Sequence, residues 1–429
     1  MQTNLHPDIL ATDRGAHADE ILRSCVHCGF CNATCPTYQV LGDELDGPRG
    51  RIYLIKNMLE TGSATREMRT HLDRCLTCRA CETTCPSGVR YGELLEIGRE
   101  VLEETCPRPP LERAARWLLN EVVQRPVLFG AAIGMGQAVN AFLPRALASK
   151  VPAAVPRLAW PAPVHERRVL ILTGCAQSAA TPDVNHALAQ LLDAHGISAL
   201  PADGCCGALP EHMTAVDSAA GMLATNVRGW GALLGSAAGA GRSVATRQAA
   251  IAANAGAVEA IISTASGCGV HVKAYGRLVK DAALVAGAKR IAELTVDVAE
   301  FIDRLPPLRS SQPRRVAWHA PCTLQHGQRI TGVVERLLRA AGHELVAVAD
   351  PHLCCGSAGT YSVLQPVLAQ ELGARKLAAL CAGQPEVIAT ANVGCQLHLG
   401  AIQRERAVHD GRDGPMPALP VMHWLQLLA

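Results

Sequence analysis

Apolar positions change their period along this chain. Near the N-terminus they recur at helical spacing: Arg51 to Glu60 (RIYLIKNMLE) and Glu93 to Glu104 (ELLEIGREVLEE) each put an apolar stripe opposite a charged face, which predicts two amphipathic helices. From Val127 to Leu143 charge disappears, between Pro126 and Pro144. A bilayer span needs about twenty predominantly apolar residues, and this shorter run holds Gln137, Asn140 and three glycines. It is expected to lie against the rest of the chain or a partner rather than cross a membrane, with interfacial membrane contact as the alternative. A proline-rich stretch from Val151 to Pro163 then marks a linker.

From Arg168 the pattern becomes buried-strand runs alternating with Ala- and Leu-rich helical stretches. Arg168 to Thr173, Asp183 to His195 and Ile197 to Pro201 predict strand, helix and strand, and Arg315 to His319, Gly332 to Ala341 and Leu345 to Ala349 repeat that order. Thr295 to Ile302 closes the first half as Pro420 to Leu427 closes the second. The expected fold is therefore multidomain α+β: a helical region over 1–108, a helical and Pro-rich linker over 109–165, and two tandem α/β repeats over 166–308 and 313–429.

Composition alters this picture through cysteine. The 429 residues carry a net charge of +2 and only 3% aromatics, so neither bulk charge nor stacking platforms point to nucleic acid. Eighteen cysteines stand out. The first twenty residues include acidic side chains and no apolar core of a secretory signal, so reduced, metal-loaded cysteine is expected rather than a disulfide scaffold.

Cys25-x-x-Cys28-x-x-Cys31-x-x-x-Cys35-Pro36 recurs fifty positions later as Cys75-x-x-Cys78-x-x-Cys81-x-x-x-Cys85-Pro86. This is the ferredoxin spacing for 4Fe-4S clusters, in which one tight turn meets three corners of a cube and the fourth cysteine reaches the other cluster. On that rule Cys25, Cys28, Cys31 and Cys85 hold one cluster, and Cys75, Cys78, Cys81 and Cys35 hold the second. Zinc is the competing reading, but it favours separated C-x-x-C pairs and has no use for this run. His27 is expected to tune a cluster rather than ligate it. The charged segment Asp43 to Arg51 (DELDGPRGR) reads as a solvated loop capping the cluster in preference to a docking site.

A second set of cysteines falls at predicted strand ends: Cys175, Cys205, Cys206 and Cys268 in one half, and Cys322, Cys354, Cys355 and Cys395 in the other. The corresponding offsets are 147, 149 and 127 residues, so the halves differ mainly by an insertion between the Cys pair and the last Cys of the first. Open parallel sheets gather ligands at such ends. The residues leave three readings for these sets: metal clusters, redox thiols, or structural cysteines. Cys106 and Cys381 stand alone and read as small hydrophobes.

The stretches Cys25 to Pro36, Gly42 to Leu54, Leu72 to Tyr91, Pro321 to His326 and His352 to Tyr361 resemble the iron-sulfur subunits of bacterial glycolate oxidases, over nearly the whole chain. The tandem repeats also resemble the cysteine-rich CCG domains of heterodisulfide reductase. There the last element is typically Cys-x-x-Cys, whereas His271 and His398 take its final place here. The resemblance implies electron transfer by two 4Fe-4S clusters, with an additional iron-sulfur cluster open in the CCG repeats. It implies an FAD-containing partner that oxidises glycolate, or D-lactate, a second flavoprotein-like subunit, a quinone or membrane acceptor, and a peripheral place on the cytoplasmic face of the inner membrane. It leaves this chain without a substrate site. Neither a full dinucleotide fingerprint nor a phosphate-binding Gly-Lys-Ser/Thr occurs, in keeping with flavin on a partner. The alternative it carries is a heterodisulfide-reductase-like subunit whose CCG cluster or thiols are catalytic.

Overall fold

The computed structural model describes residues 1–143, 148–235, 258–409 and 419–428, without the side chains of 407–409. Pro144 and much of the first-half insertion lie outside them. The N-terminal helices Asp13–Ser24, Pro48–Thr61 and Tyr91–Thr105 enclose one core of Ile21, Leu22, Ile55, Met58, Leu59, Leu94, Leu95 and Leu102. Both predicted amphipathic helices are present, each a few residues longer than its apolar stripe. Gly98 faces Ile55 so closely that an added Cβ would lie 2.7 Å from its Cγ1, which lets the last two of these helices approach.

Arg108 ties this region to the helix that follows, pairing with Asp73 and Glu112 at 2.6 Å. Helices Pro110–Gln124 and Pro126–Ala138 occupy the expected linker. The second starts where Pro126 fixes its first turn and buries none of its residues, although it lies against the short helix Cys175–Ala180. Among the described residues no helix is long and apolar enough to cross a membrane.

Each cysteine-rich half is a four-stranded parallel sheet. In the first, β1 (Arg167–Leu172), β2 (Ile197–Ala202), β3 (Val258–Ser263) and β4 (Thr295–Asp297) run in the order β2-β1-β3-β4. In the second, β5 (Arg315–His319), β6 (Glu344–Leu345), β7 (Val387–Thr390) and β8 (Val421–His423) follow β6-β5-β7-β8. The central strands β1, β3, β5 and β7 are mainly apolar and buried because apolar clusters pack on both faces of each sheet. The stretch Leu345 to Ala349 departs from expectation: only its first residue pairs, and the chain then leaves the sheet edge.

The matching ends of the two halves have a common local cause. Asp297 with Glu300, and His423 with Gln426, each form a reciprocal capping box that turns the last strand into a short helix. The halves are not independent bodies. Val169, Ile171 and Phe301 of the first share one apolar core with Val316, Trp318 and Trp424 of the second, and Ser266 N–H donates to Ala391 O across the junction.

Candidate metal centres

The two N-terminal cysteine runs share a backbone as well as a spacing. His27 and Thr77 have φ of 58° and 54°, and Gly29 and Arg79 have φ of 86° and 59°. Left-handed residues on either side of the second cysteine curl each loop around a common centre, and non-glycine residues accept that conformation only at a cost. Short helices Phe30–Ala33 and Ala80–Thr84 then carry the chain to Cys35 and Cys85. Pro36 ends that turn by opening a new helix, Pro36–Leu41.

The eight cysteines surround two adjoining cavities in the exchanged arrangement. Cys25, Cys28, Cys31 and Cys85 line one, and Cys35, Cys75, Cys78 and Cys81 line the other, with Cys81 and Tyr91 reaching both. They differ in exposure. The first opens beside Cys28, Val26 and Phe30, all exposed. His27 stands over its mouth, half-buried, with its ring centroid 6.4 Å from that of Tyr53.

The second cavity is enclosed by residues nearly all of which are buried, and is lined with positive charge. Arg51 is 1% exposed, donates from Nε to His71 O at 2.8 Å and from both terminal nitrogens to Thr37 Oγ1 at 3.2 Å. Thr37 Oγ1 lies 3.3 Å from Cys35 Sγ. Tyr91 O–H donates to Cys75 Sγ at 3.5 Å, and Arg99 donates to Cys75 O at 3.0 Å. Burial alone would push the Cys75 thiol up, but Arg51 and Arg99 outweigh it and hold its pKa below the ordinary value. At the other cavity, although Arg49 is among its lining residues, burial and the neighbouring Cys25 prevail and raise Cys31 to about 11.

The charged segment departs from its expected place in solvent. Asp43 to Arg51 is not a solvated loop: Asp46 is fully buried, with Arg74 Nη1 at 2.8 Å, His71 Nδ1 at 3.1 Å and Arg51 Nη2 at 3.4 Å. Within the segment Asp46 pairs with Arg51 at the second cavity, and Glu44 pairs with Arg49 beside the first. Spacing could not reveal this, because His71 and Arg74 come from another helix and the residue after it. The available signal was the density of Asp, Gly and Arg next to a helix start at Pro48.

Each half of the C-terminal region collects its four cysteines past the strand ends, at the β1/β3 and β5/β7 switch points where strand order reverses. In the first half Cys205 lies in hydrogen-bonding reach of Cys175 and Cys206, and Cys206 of Cys268. In the second, Cys322 and Cys354 sulfurs are 3.9 Å apart, Cys354 contacts Cys355, and Cys355 contacts Cys395. The glycine after each cysteine pair has a physical reason. Gly207 and Gly356 have φ of 90° and 88°, and a Cβ on Gly356 would meet Ala369 O at 2.6 Å. Cys322 leads into a π-helical turn, Thr323–Gly327.

The histidines at the ends of the two sets turn to different partners. His271 Nδ1 is 3.2 Å from Glu211, and His398 Nε2 is 3.1 Å from Ala369 O. Burial, with the Glu96 carboxylate nearby, raises Glu211 to about 8, and burial lowers His271 to about 3. Cys106 and Cys381 pack against apolar clusters, as small hydrophobes do.

The second half abuts the enclosed cavity. Cys78 and Cys322 pack on Leu76, Cys354, Tyr361 and Leu372, Tyr361 O–H donates to Arg74 O at 3.1 Å, and Thr83 Oγ1 lies 2.9 Å from His326 Nδ1. Beside Cys354 a cavity of about 160 Å³ is lined by Val40, Leu353, Leu372, Arg375 and Lys376.

Known proteins share these features. The 4Fe-4S dicluster domain family matches residues 21–89, and the cysteine-rich domain family matches 169–273 and 316–400. A solved structure, a hypothetical protein from Helicobacter pylori, covers 97% of this chain and 72% of its own at a TM-score of 0.54 and 8% identity, a likeness of fold alone. The probable glycolate oxidase iron-sulfur subunit of Bacillus subtilis is 29% identical over 90% of this chain and 92% of its own. The glycolate oxidase iron-sulfur subunit of Escherichia coli is 47% identical over 95% of this chain and 97% of its own. With identity at that level running from the paired cysteine loops through both cysteine-rich halves, this chain belongs to the family of glycolate oxidase iron-sulfur subunits.

Proposed function

We propose that the chain is the electron-transfer subunit of a glycolate-oxidising complex. The observation that carries this is the placement of eight cysteines around two adjoining cavities, on a chain of this family. Cys25, Cys28, Cys31 and Cys85 hold one 4Fe-4S cluster, and Cys75, Cys78, Cys81 and Cys35 hold the other. Such clusters accept single electrons in turn from a two-electron flavin donor. An FAD-bearing partner oxidises glycolate, or D-lactate, to the oxo acid, a second flavoprotein-like subunit completes the complex, and the acceptor is a quinone. The helical region 1–108 carries the clusters, 109–165 connects, and the halves 166–308 and 313–429 gather the remaining sulfurs into a further iron-sulfur station. The complex works at the cytoplasmic face of the inner membrane, held peripherally.

The arrangement suits a one-directional relay. The cluster beside exposed Cys28 faces a donor, and the enclosed cluster abuts the sulfurs of the second half. Iron and acid-labile sulfide analysis with EPR on the anaerobic complex tests the reading. Two reducible 4Fe-4S signals that appear on adding glycolate support it, and clusters that stay oxidised while the flavin is reduced refute it.

A second reading draws on the cavity beside Cys354, where a disulfide substrate could meet a thiol or cluster of the second half. Disulfide reduction by the dithionite-reduced chain would favour it.

A further inference from the structure

We infer that His319 is a nitrogen ligand to the metal group of the second cysteine-rich half, acting with Cys355 and Cys395. The inference rests on the reading that these sulfurs hold metal, and adds a ligand that no cysteine spacing contains.

His319 ends β5. Strand alternation sends Val316 and Trp318 into the core shared by the halves, and turns Ala317 and His319 to the opposite face, where Ala317 packs with Cys355 and Cys395. One ring nitrogen of His319 and the sulfurs of Cys355 and Cys395 all lie within 4.8 Å of one another, and all three residues are buried. His319 is 1% exposed, and neither Nδ1 nor Nε2 has a hydrogen-bond partner. Among the described residues it alone has both ring nitrogens buried and unpaired.

A neutral imidazole always presents one donor and one acceptor, so this burial is costly unless something meets the ring. Three other buried imidazoles are met by the fold. His423 Nε2 reaches Thr264 O at 2.9 Å, His343 Nε2 reaches Leu427 O at 2.8 Å, and His326 bridges Thr83 and His352 O. A lone pair directed at the metal would satisfy one nitrogen of His319, and imidazole is a ready ligand for iron and zinc.

His398 is the histidine to which sequence alone points, since it stands where a last thiolate is absent. Its Nε2 is engaged by Ala369 O instead. The first half offers no counterpart to His319: three residues before Cys175 stands Leu172, as three before Cys322 stands His319. The two sulfur sets are therefore unequal, four thiols in one and four thiols with an imidazole in the other. The imidazole adds a ligand without adding charge, where a fifth thiolate would make the group more negative and lower its potential. The half that holds His319 is the one that abuts the enclosed cluster.

Pulsed EPR on the anaerobically purified full-length chain tests this, with samples poised through oxidised and reduced states. The signal of the second-half group is identified by its loss in Cys395→Ser. It is expected to carry a strong 14N coupling that becomes 15N when only histidine is labelled, in protein of native sequence. His319→Leu, the residue the first half has at that place, is expected to abolish the coupling, and His398→Gln to keep it. A second-half signal without histidine nitrogen coupling, or a coupling that survives His319→Leu, overturns the ligand and leaves the sulfur-held group standing. If Cys355→Ser and Cys395→Ser change neither metal content nor spectrum, the sulfur-held group itself fails and His319 with it.

Discussion

Arg51→Met keeps side-chain bulk beside the enclosed cavity and removes its buried guanidinium. That group reaches Thr37 Oγ1 at 3.2 Å, and Thr37 Oγ1 reaches Cys35 Sγ at 3.3 Å, so the charge stands within about 6.5 Å of a proposed ligand sulfur. At an effective dielectric near 20, a unit charge at that distance is worth about 2.5 kcal/mol. For a one-electron couple, where a factor of ten is 59 mV, this corresponds to about 110 mV. A positive charge favours the reduced cluster, so its removal is expected to lower the midpoint potential of the cluster held by Cys35, Cys75, Cys78 and Cys81 by roughly 100 mV. EPR-monitored potentiometric titration reads the shift. The variant also breaks a buried ion pair, which costs about 3–5 kcal/mol, and the low end is expected because Asp46 keeps Arg74 and His71. Arg51→Lys, which restores the charge without the fork, is expected to recover most of the potential and less of the stability. An unchanged midpoint in a folded, fully loaded Arg51→Met protein would refute both the electrostatic argument and the placement of the cluster in this cavity.

Four further outcomes are expected. Cys28→Ser, at the exposed cavity, should lower iron by up to about four per chain while leaving the EPR signal of the enclosed cluster in place; loss of both signals would contradict two separable sites. Gly356→Ala should destabilise by about 2 kcal/mol or more and deplete metal from the second half, because its Cβ meets a backbone carbonyl in a left-handed conformation. Gly207→Ala should cost less in denaturant unfolding, since the nearest atom there is the movable Cδ1 of Leu223. Burial raises Asp297 from 3.8 to about 6 against its hydrogen bonds from Ala299 and Gln328. Its folded pKa exceeds its unfolded one, so this contribution is full below 3.8 and is lost as pH rises through about 6, a change of about 3 kcal/mol. Asp297→Asn should flatten that part of the stability profile, measured by denaturation at a series of pH values, and an unaltered slope would show that Asp297 is ionised when folded.

Much of the architecture is local and therefore legible in the chain. The fifty-residue cysteine repeat carries its loop geometry with it, because the same spacing imposes the same left-handed turns at His27 and Thr77. Apolar runs flanked by helical stretches specify parallel strands buried on both faces, and Arg315 to His319 is a strand over the expected span. The strand at Leu345 to Ala349 fell short because a sheet edge pairs on one side only, which no run of apolar residues encodes.

The sequence by itself determined which residues bear the chemistry: eight cysteines at ferredoxin spacing and two matched sets at strand ends. Only the tertiary structure decided what surrounds them. It buried Asp46 and Arg51 beside Cys35 and Cys75, turned His398 to a carbonyl and His319 toward Cys355 and Cys395, and set the second half against the enclosed cavity. The physical reason is range: ligand spacing and strand alternation act within a few residues. The partners that complete a buried charge or an imidazole come from segments brought together only by a shared core.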